Sequence, residues 1–193
     1  MSGPRAGAGL LLGALLLAPS LAPPARGAEA TDRPAAESDS AAAERESARA
    51  AALEAIQRAR RRAGLPELAR HAALERAAQA QSDALAANGD FSHRGRDGRG
   101  PAERVEEAGY GPLSAVGEAL AHGMEAPELV VERWLESPPH REILLDGHFS
   151  EIGLGVAAVR GSRPGHRIWV ALLAAPAVAP DAPHADGPPA GGR

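Results

Sequence analysis

Apolar residues recur at helical spacing along three stretches of the chain and run together or alternate in two more. In residues 51–63, Leu53 and Ile56 fall on one face with arginines opposite, and Gly64 stands where a helix ends in a left-handed residue. Leu65-Pro66-Glu67-Leu68 restarts the chain into a second helix that runs to about Ala87, with Leu68, Ala72, Leu74, Ala78 and Leu85 near one stripe. Asn88-Gly89-Asp90 signals a turn. Phe91-Ser92-His93 and a glycine- and charge-rich loop at 94–100 follow. Pro101 then opens a short helix that ends at Gly109-Tyr110. A further helix from near Pro127 carries Leu129, Val130, Trp134 and Leu135. Ser137 reads as the cap, and Pro138 as the first residue, of a short helix through Leu145. Residues 151–156 and 167–173 are strand-like, with Gly161-Ser162-Arg163-Pro164-Gly165 turning between them. Helices first and a terminal hairpin make an α+β domain.

Composition narrows the class. The 193 residues suffice for one domain and its tails, and 44% are hydrophobic but only 3% aromatic, so Leu, Val, Ile and Ala must fill the core. A net charge of −4 without a basic stripe speaks against a nucleic-acid partner. Every basic residue is Arg, and Arg, Ala, Gly and Pro dominate; this codon-level mark of a GC-rich genome points to a bacterial source. The chain has no Cys, which excludes disulfides, thiolate chemistry and a lipidated cysteine anchor.

The termini read differently from the middle. Arg5 followed by the apolar run Leu10 to Leu17, with small residues at Ala25-Arg26-Gly27 or Ala28-Glu29-Ala30, reads as a signal peptide over residues 1–28. The run is too short to span about 30 Å of hydrocarbon, so a secreted or periplasmic protein with no membrane span after cleavage is expected, with an uncleaved anchor as the alternative. Residues 29–49, rich in Ala, Glu, Ser and Arg, read as a low-complexity linker able to turn helical beside the domain. Residues 50–176 form the domain, and the Pro/Gly/Ala-rich residues 177–193 a disordered tail.

The order of motifs is specific. Ala63-Gly64-Leu65-Pro66-Glu67-Leu68 comes first, followed by an Ala-rich helix and Phe91-Ser92-His93. Arg104, Gly109-Tyr110 and Gly117-Glu118 follow. Trp134 with Ser137-Pro138-Pro139-His140-Arg141, then Phe149-Ser150-Glu151-Ile152-Gly153-Leu154-Gly155, complete the series. This series resembles the bacterial, SCP-like branch of the CAP superfamily (cysteine-rich secretory proteins, antigen 5 and pathogenesis-related 1). The resemblance implies an α-β-α sandwich: a central antiparallel sheet flanked by helices. Strands beyond the terminal hairpin would come from short segments near Ser92 and from Ser114 to Leu120.

The resemblance also implies a cleft lined by two His and two Glu. His93 matches the first His, Glu118 the first Glu, and His148 the second His. Where the family carries its second Glu this chain has Ser137, with Glu136 one residue earlier and about 100° around the helix; Ala119 replaces the Asn that follows the Glu. Two imidazoles and a carboxylate suit zinc or another divalent metal, with His93 and His148 as ligands and Glu118 either ligating or orienting the rings. His140 is a further candidate for the same cleft. Each residue also has a plainer reading: a solvated loop His for His93 and His148, a backbone-bonding carboxylate for Glu118, a helix-start donor for His140. Arg104 and Arg141 are expected to brace the cleft through carboxylates, and His71, His122, His166 and His184 to lie on the surface. Ser92, Ser137 and Ser150 are candidate nucleophiles, but none sits in a Gly-x-Ser-x-Gly elbow. The expected function is a non-enzymatic extracellular ligand-binding or cell-envelope-associated module. Its ligand is open between lipid, glycan, peptide and cell-wall component. The alternatives are an extracellular, peptidase-like hydrolase using the same cleft and an interaction protein with a vestigial one.

Overall fold

The computed structural model describes residues 33–177; the signal peptide expected at 1–28 and nearly all of the expected C-terminal tail lie outside the described residues. Helix α1 spans Arg33–Arg62, so the expected linker is helical from Arg33 onward, and Ala48 already belongs to the core. A two-residue strand β1, Ala69–Arg70, precedes helix α2, Ala72–Asn88, and helix α3 is Pro101–Glu107. Strand β2, Leu113–His122, leads to helices α4, Pro127–Glu136, and α5, Pro138–Leu144. The hairpin strands are β3, Glu151–Ala158, and β4, Arg167–Pro176.

The sheet order is β1-β3-β4-β2. Strands β3, β4 and β2 are antiparallel neighbours, while the short β1 pairs parallel with β3, so the sheet is mixed rather than wholly antiparallel. Helices α1, α4 and α5 cover one face; α2 and α3 cover the other. The α+β sandwich read from the motifs is the observed fold, with four local corrections. Ser92 is in a loop, not a strand. Helix α2 starts at Ala72, because Leu68–Arg70 is drawn into the sheet: both the N–H and the carbonyl of Leu68 bond the buried Gln57 amide, and Ala69 donates to the carbonyl of Ser150. Its buried stripe accordingly runs through Ala73, Leu74, Ala77, Ala78, Gln81, Ser82 and Leu85, leaving Ala72 exposed. Ser137 occupies the cap position of α5, but its side chain makes no capping hydrogen bond.

Two packing constraints hold the layers. On β3, a Cβ at Gly153 would come within 2.1 Å of the Leu74 carbonyl carbon, and one at Gly155 within 2.2 Å of the Ala78 carbonyl oxygen. Helix α2 therefore lies backbone to backbone on the strand, which is why alternate positions of β3 are glycine. On the opposite face, Trp134 is fully buried, and its indole N–H donates to the carbonyl of Leu120 on β2 at 3.1 Å. That bond occupies a backbone acceptor on a sheet edge that would otherwise be open. Trp169 is likewise buried and donates to the carbonyl of Met124.

Arg60 adds a third tie. It is fully buried, and its guanidinium donates to four carbonyls: Pro66, Leu144, Asp146 and Phe149, at 2.9 to 3.3 Å. The segment between α5 and β3 is thereby bound to α1. Burial lowers the pKa of this guanidinium, and the Asp146 carboxylate opposes the effect.

Trp134→Ala should cost about 3–5 kcal/mol in chemical denaturation, as large aromatic truncations in cores do. A loss under about 1 kcal/mol would contradict the packing of α4. Gly155→Ala should cost about 1–3 kcal/mol or more, since backbone rather than a movable side chain blocks the new methyl. An unchanged denaturation midpoint would show that α2 can retreat freely.

Candidate functional site

Strand β2 alternates between the two cores. Ala119 and Ala121 face α1 and α4, whereas Glu118 and Leu120 face α2 and α3. Ala119, the substituted neighbour of Glu118, is thus a core residue of the other layer. The Glu118 side chain is 1% exposed, and both of its oxygens are engaged. Oε1 lies 2.7 Å from Nδ1 of His93, and Oε2 accepts from Nη2 of Arg104 at 2.7 Å. Because the Glu118 carboxylate accepts on both oxygens, the neutral form of His93 carries its hydrogen on Nδ1 and its lone pair on Nε2. The ring is held by its buried side while 57% of the side chain remains exposed. Among the described residues Nε2 has no hydrogen-bond partner.

Arg104 is the clamp of this arrangement. From α3 its Nη1 donates to the carbonyls of His93 and Arg99, so one side chain fixes both the loop backbone at His93 and the carboxylate that orients the ring. The loop itself leaves α2 through Gly89, in the left-handed conformation at φ 68°. Gln81 of α2 donates to the carbonyl of Ser92 and sets its path.

His140, in the first turn of α5, lies close enough to His93 to feel its charge. Burial first, and then the charge His93 carries when protonated, lower its pKa below the ordinary 6.5. Both α3 and α5 pack on β2, so His93 and His140 approach the open edge of that strand from opposite layers. His148 is placed differently. It is 90% exposed, and its backbone N–H and Nδ1 both bond the same oxygen of Asp146, at 2.8 and 2.9 Å. Asp146 in turn belongs to the segment tied down by Arg60. Glu136 is exposed and pairs with Arg133. Ser137 is half-buried at the α4–α5 junction. Arg104 pairs with a carboxylate as expected; Arg141, also expected to brace the cleft, is exposed and makes no ion pair among the described residues.

A divalent ion is tested by this donor set. Among the described residues, no group of three or more His, Cys, Asp or Glu side chains is arranged to hold a metal ion. Glu118 has both oxygens committed, and His148 is bound to Asp146. The residues present therefore do not fit a three-ligand zinc centre. What they form instead is an oriented imidazole beside a second, partly buried one.

The contact between His93 and Glu118 leaves no local spacing in the sequence, its members being 25 residues apart; only the motif order set the two in one cleft. Phe91 is 45% exposed, and its ring meets that of His122 edge-on at 4.8 Å. His71 also departs from the expected surface role: its Nδ1 accepts from the Ala73 N–H and caps α2.

An α-β-α sandwich whose edge strand carries a Glu paired with a loop His is the class these features define. Residues 53–172 match the family model CAP, the Cysteine-rich secretory protein family, and the chain belongs to that family. Among curated proteins it is 31% identical over 96 residues to YkwD of Bacillus subtilis, covering 50% of this chain but only 37% of that relative. Among solved structures it is similar to an outer surface protein from Borrelia burgdorferi, with TM-score 0.57, 26% identity, and coverage of 64% of this chain and 89% of the other. It shares the fold of an extracellular SCP-domain protein from Bacillus anthracis, with TM-score 0.62, 21% identity, and coverage of 68% and 41%. No helix among the described residues is long and apolar enough to cross a membrane.

The lowered pKa of His140 gives a pH signature. Its folded form takes up a proton less readily than its unfolded form, so its contribution to stability is complete above about pH 6.5 and is lost as pH falls. NMR titration should place His140 below the ordinary His range, and His93→Ala should move it upward. A His140 midpoint above 6.5 would contradict the site geometry.

Proposed function

We propose that this chain is an extracellular, non-enzymatic ligand-binding module of the cell envelope, working through the outward Nε2 edge of His93 with His140 beside it. The observation that carries the reading is the commitment of Glu118. With both oxygens bonded inside the protein, it fixes the imidazole and leaves a single oriented acceptor facing solvent. Such an edge recognises a hydroxyl, amide or ammonium donor on a ligand. The ligand classes that remain are a glycan, peptide, lipid or cell-wall component. Action outside the cytoplasm, in a secreted or periplasmic form, rests on the extracellular and outer-surface nature of the similar proteins.

A second reading, a peptidase-like hydrolase, is favoured by one observation: the Glu118–His93 pair has the order of an orienting acid and a general base. The missing element is a nucleophile. No hydroxyl is bonded to Nε2 among the described residues, and Ser92 Oγ accepts instead from the Arg94 N–H. Zinc enters either reading as an occupant of the imidazoles, two of which are one ligand short of the usual three.

Co-sedimentation with purified cell-wall sacculi and with vesicles of the bacterial envelope lipids tests the first reading. His93→Ala should abolish binding, and Glu118→Gln should weaken it through loss of ring orientation. Equal sedimentation of wild type and His93→Ala would overturn it. Turnover of a peptide library that vanishes in His93→Ala would establish the second. Zinc calorimetry at neutral and acidic pH separates the donors. Weak binding lost in His93→Ala and His140→Ala, and lost below the His pKa, is expected; stoichiometric binding lost in His148→Ala would return His148 to the site.

A further inference from the structure

Strand β2 ends the sheet and pairs with β4 alone. Two bonds fix which of its backbone groups face outward. Gly123 donates to the carbonyl of Arg167, continuing the register in which His122 stands opposite Ile168, so Ala115, Gly117, Ala119 and Ala121 turn their backbone groups toward β4. Trp134 donates to the carbonyl of Leu120, which therefore faces away from β4. Val116 and Glu118 share the outward parity of Leu120. Among the described residues, neither the N–H nor the carbonyl of Val116 or Glu118 has a hydrogen-bond partner. The opposite side of the sheet is treated otherwise. There Ala69 and His71 donate to the carbonyls of Ser150 and Ile152, and Gln79 bonds both backbone groups of Val156.

An open ladder selects its occupant by chemistry. Donor and acceptor recur at Val116 and Glu118 with a repeat of about 6.8 Å, the spacing of every second residue in an extended chain. A glycan or an alkyl chain carries no such run; a peptide backbone carries it in any sequence. The chain's own residues 178–193 suit the edge poorly, because Pro180, Pro183, Pro188 and Pro189 have no N–H to donate. Access is from Val116 and Gly117, both partly exposed. Glu118 holds His93 on the α3 side, whereas Gly117 faces α5, where a Cβ would come within 2.8 Å of Ile143 and 3.1 Å of Phe149. Successive residues of an added strand thus lie in turn on the layer of His93 and on that of Ile143. We propose that this edge binds an extended peptide as an added antiparallel strand, paired at Val116 and Glu118. The choice of ligand class rests on the His93 reading, by which a hydroxyl side chain of the added strand donates to Nε2.

Calorimetry and amide hydrogen exchange of the full chain with the peptide Lys-Thr-Val-Thr-Val-Thr-Lys, capped at both ends, test this. On binding, exchange of the Val116 amide should slow, while that of Gly117, already turned toward β4, should change little. The threonines turn their amides to β2 when their hydroxyls lie on the His93 layer. N-methylation of the threonines should therefore weaken binding about tenfold or more, as loss of two ladder bonds does, and N-methylation of the valines should change it little. Val116→Pro removes an outward N–H and no bond to β4, so it should weaken the peptide with the circular dichroism of the fold retained. His93→Ala separates the two readings. Undiminished peptide binding with the same N-methyl pattern would support the strand pairing and sink the His93 reading. Binding of sacculi that depends on His93, without binding of the peptide, would do the reverse. Equal effects of the two N-methylated series, or an unchanged Val116 amide, would also overturn the proposal.

Discussion

The architecture depends on how closely α2 lies against β3. Gly153 and Gly155 let the helix backbone settle directly on the strand, with the alanines of α2 filling what space remains. That contact fixes the height and direction of the helix, and hence where Gly89 releases the chain into the loop that carries His93. Gln79 reinforces it from the helix side, its amide bonding both the N–H and the carbonyl of Val156 where β1 no longer covers the edge of β3. The glycines read in the sequence as part of a family motif are explained by sterics alone: any side chain there must push a whole helix outward.

The same economy governs the edges of the sheet. The chain covers them with single side chains rather than with additional strands: Gln57 at Leu68, Gln79 at Val156, and Trp134 at Leu120. Around Glu118, β2 packs against α3 on one side and α5 on the other. A buried carboxylate at that point is tolerated because Arg104 and His93 satisfy both oxygens; removal of either would leave one oxygen without a partner in a low-dielectric setting.

Much of this was legible. The terminal hairpin, the proline-initiated helices and the burial of Trp134 and Trp169 follow from local signals. The motif order carried the sandwich and the pairing of His93 with Glu118. Strand β2 was harder, because Leu113–His122 is rich in Ala and gains its strand character from pairing with β4, whose Leu172 lies 54 residues beyond its partner Glu118 in sequence. The choice between the two readings of His140, and between those of His148, was not legible. His140 reaches His93 through the packing of α5 on β2, and the setting of His148 follows from an arginine 88 residues earlier that ties down its loop by carbonyls. Neither relation leaves a spacing in the sequence.

Arg104 ties the loop that carries His93 to the buried carboxylate of β2. Its Nη atoms hold the carbonyls of His93 and Arg99 and the Glu118 carboxylate together. A guanidinium is suited to this because it remains charged and presents several donors in one rigid plane, so it can hold a carboxylate on one edge and carbonyls on another. Lys at this position would keep the charge and lose the fork. Glu118 would retain a cation, the His93 carbonyl would lose its donor, and the imidazole would keep its acceptor while its loop loosened. The specificity of the His93 edge thus resides less in the histidine, which any solvated loop can present, than in the buried pair that prevents it from turning.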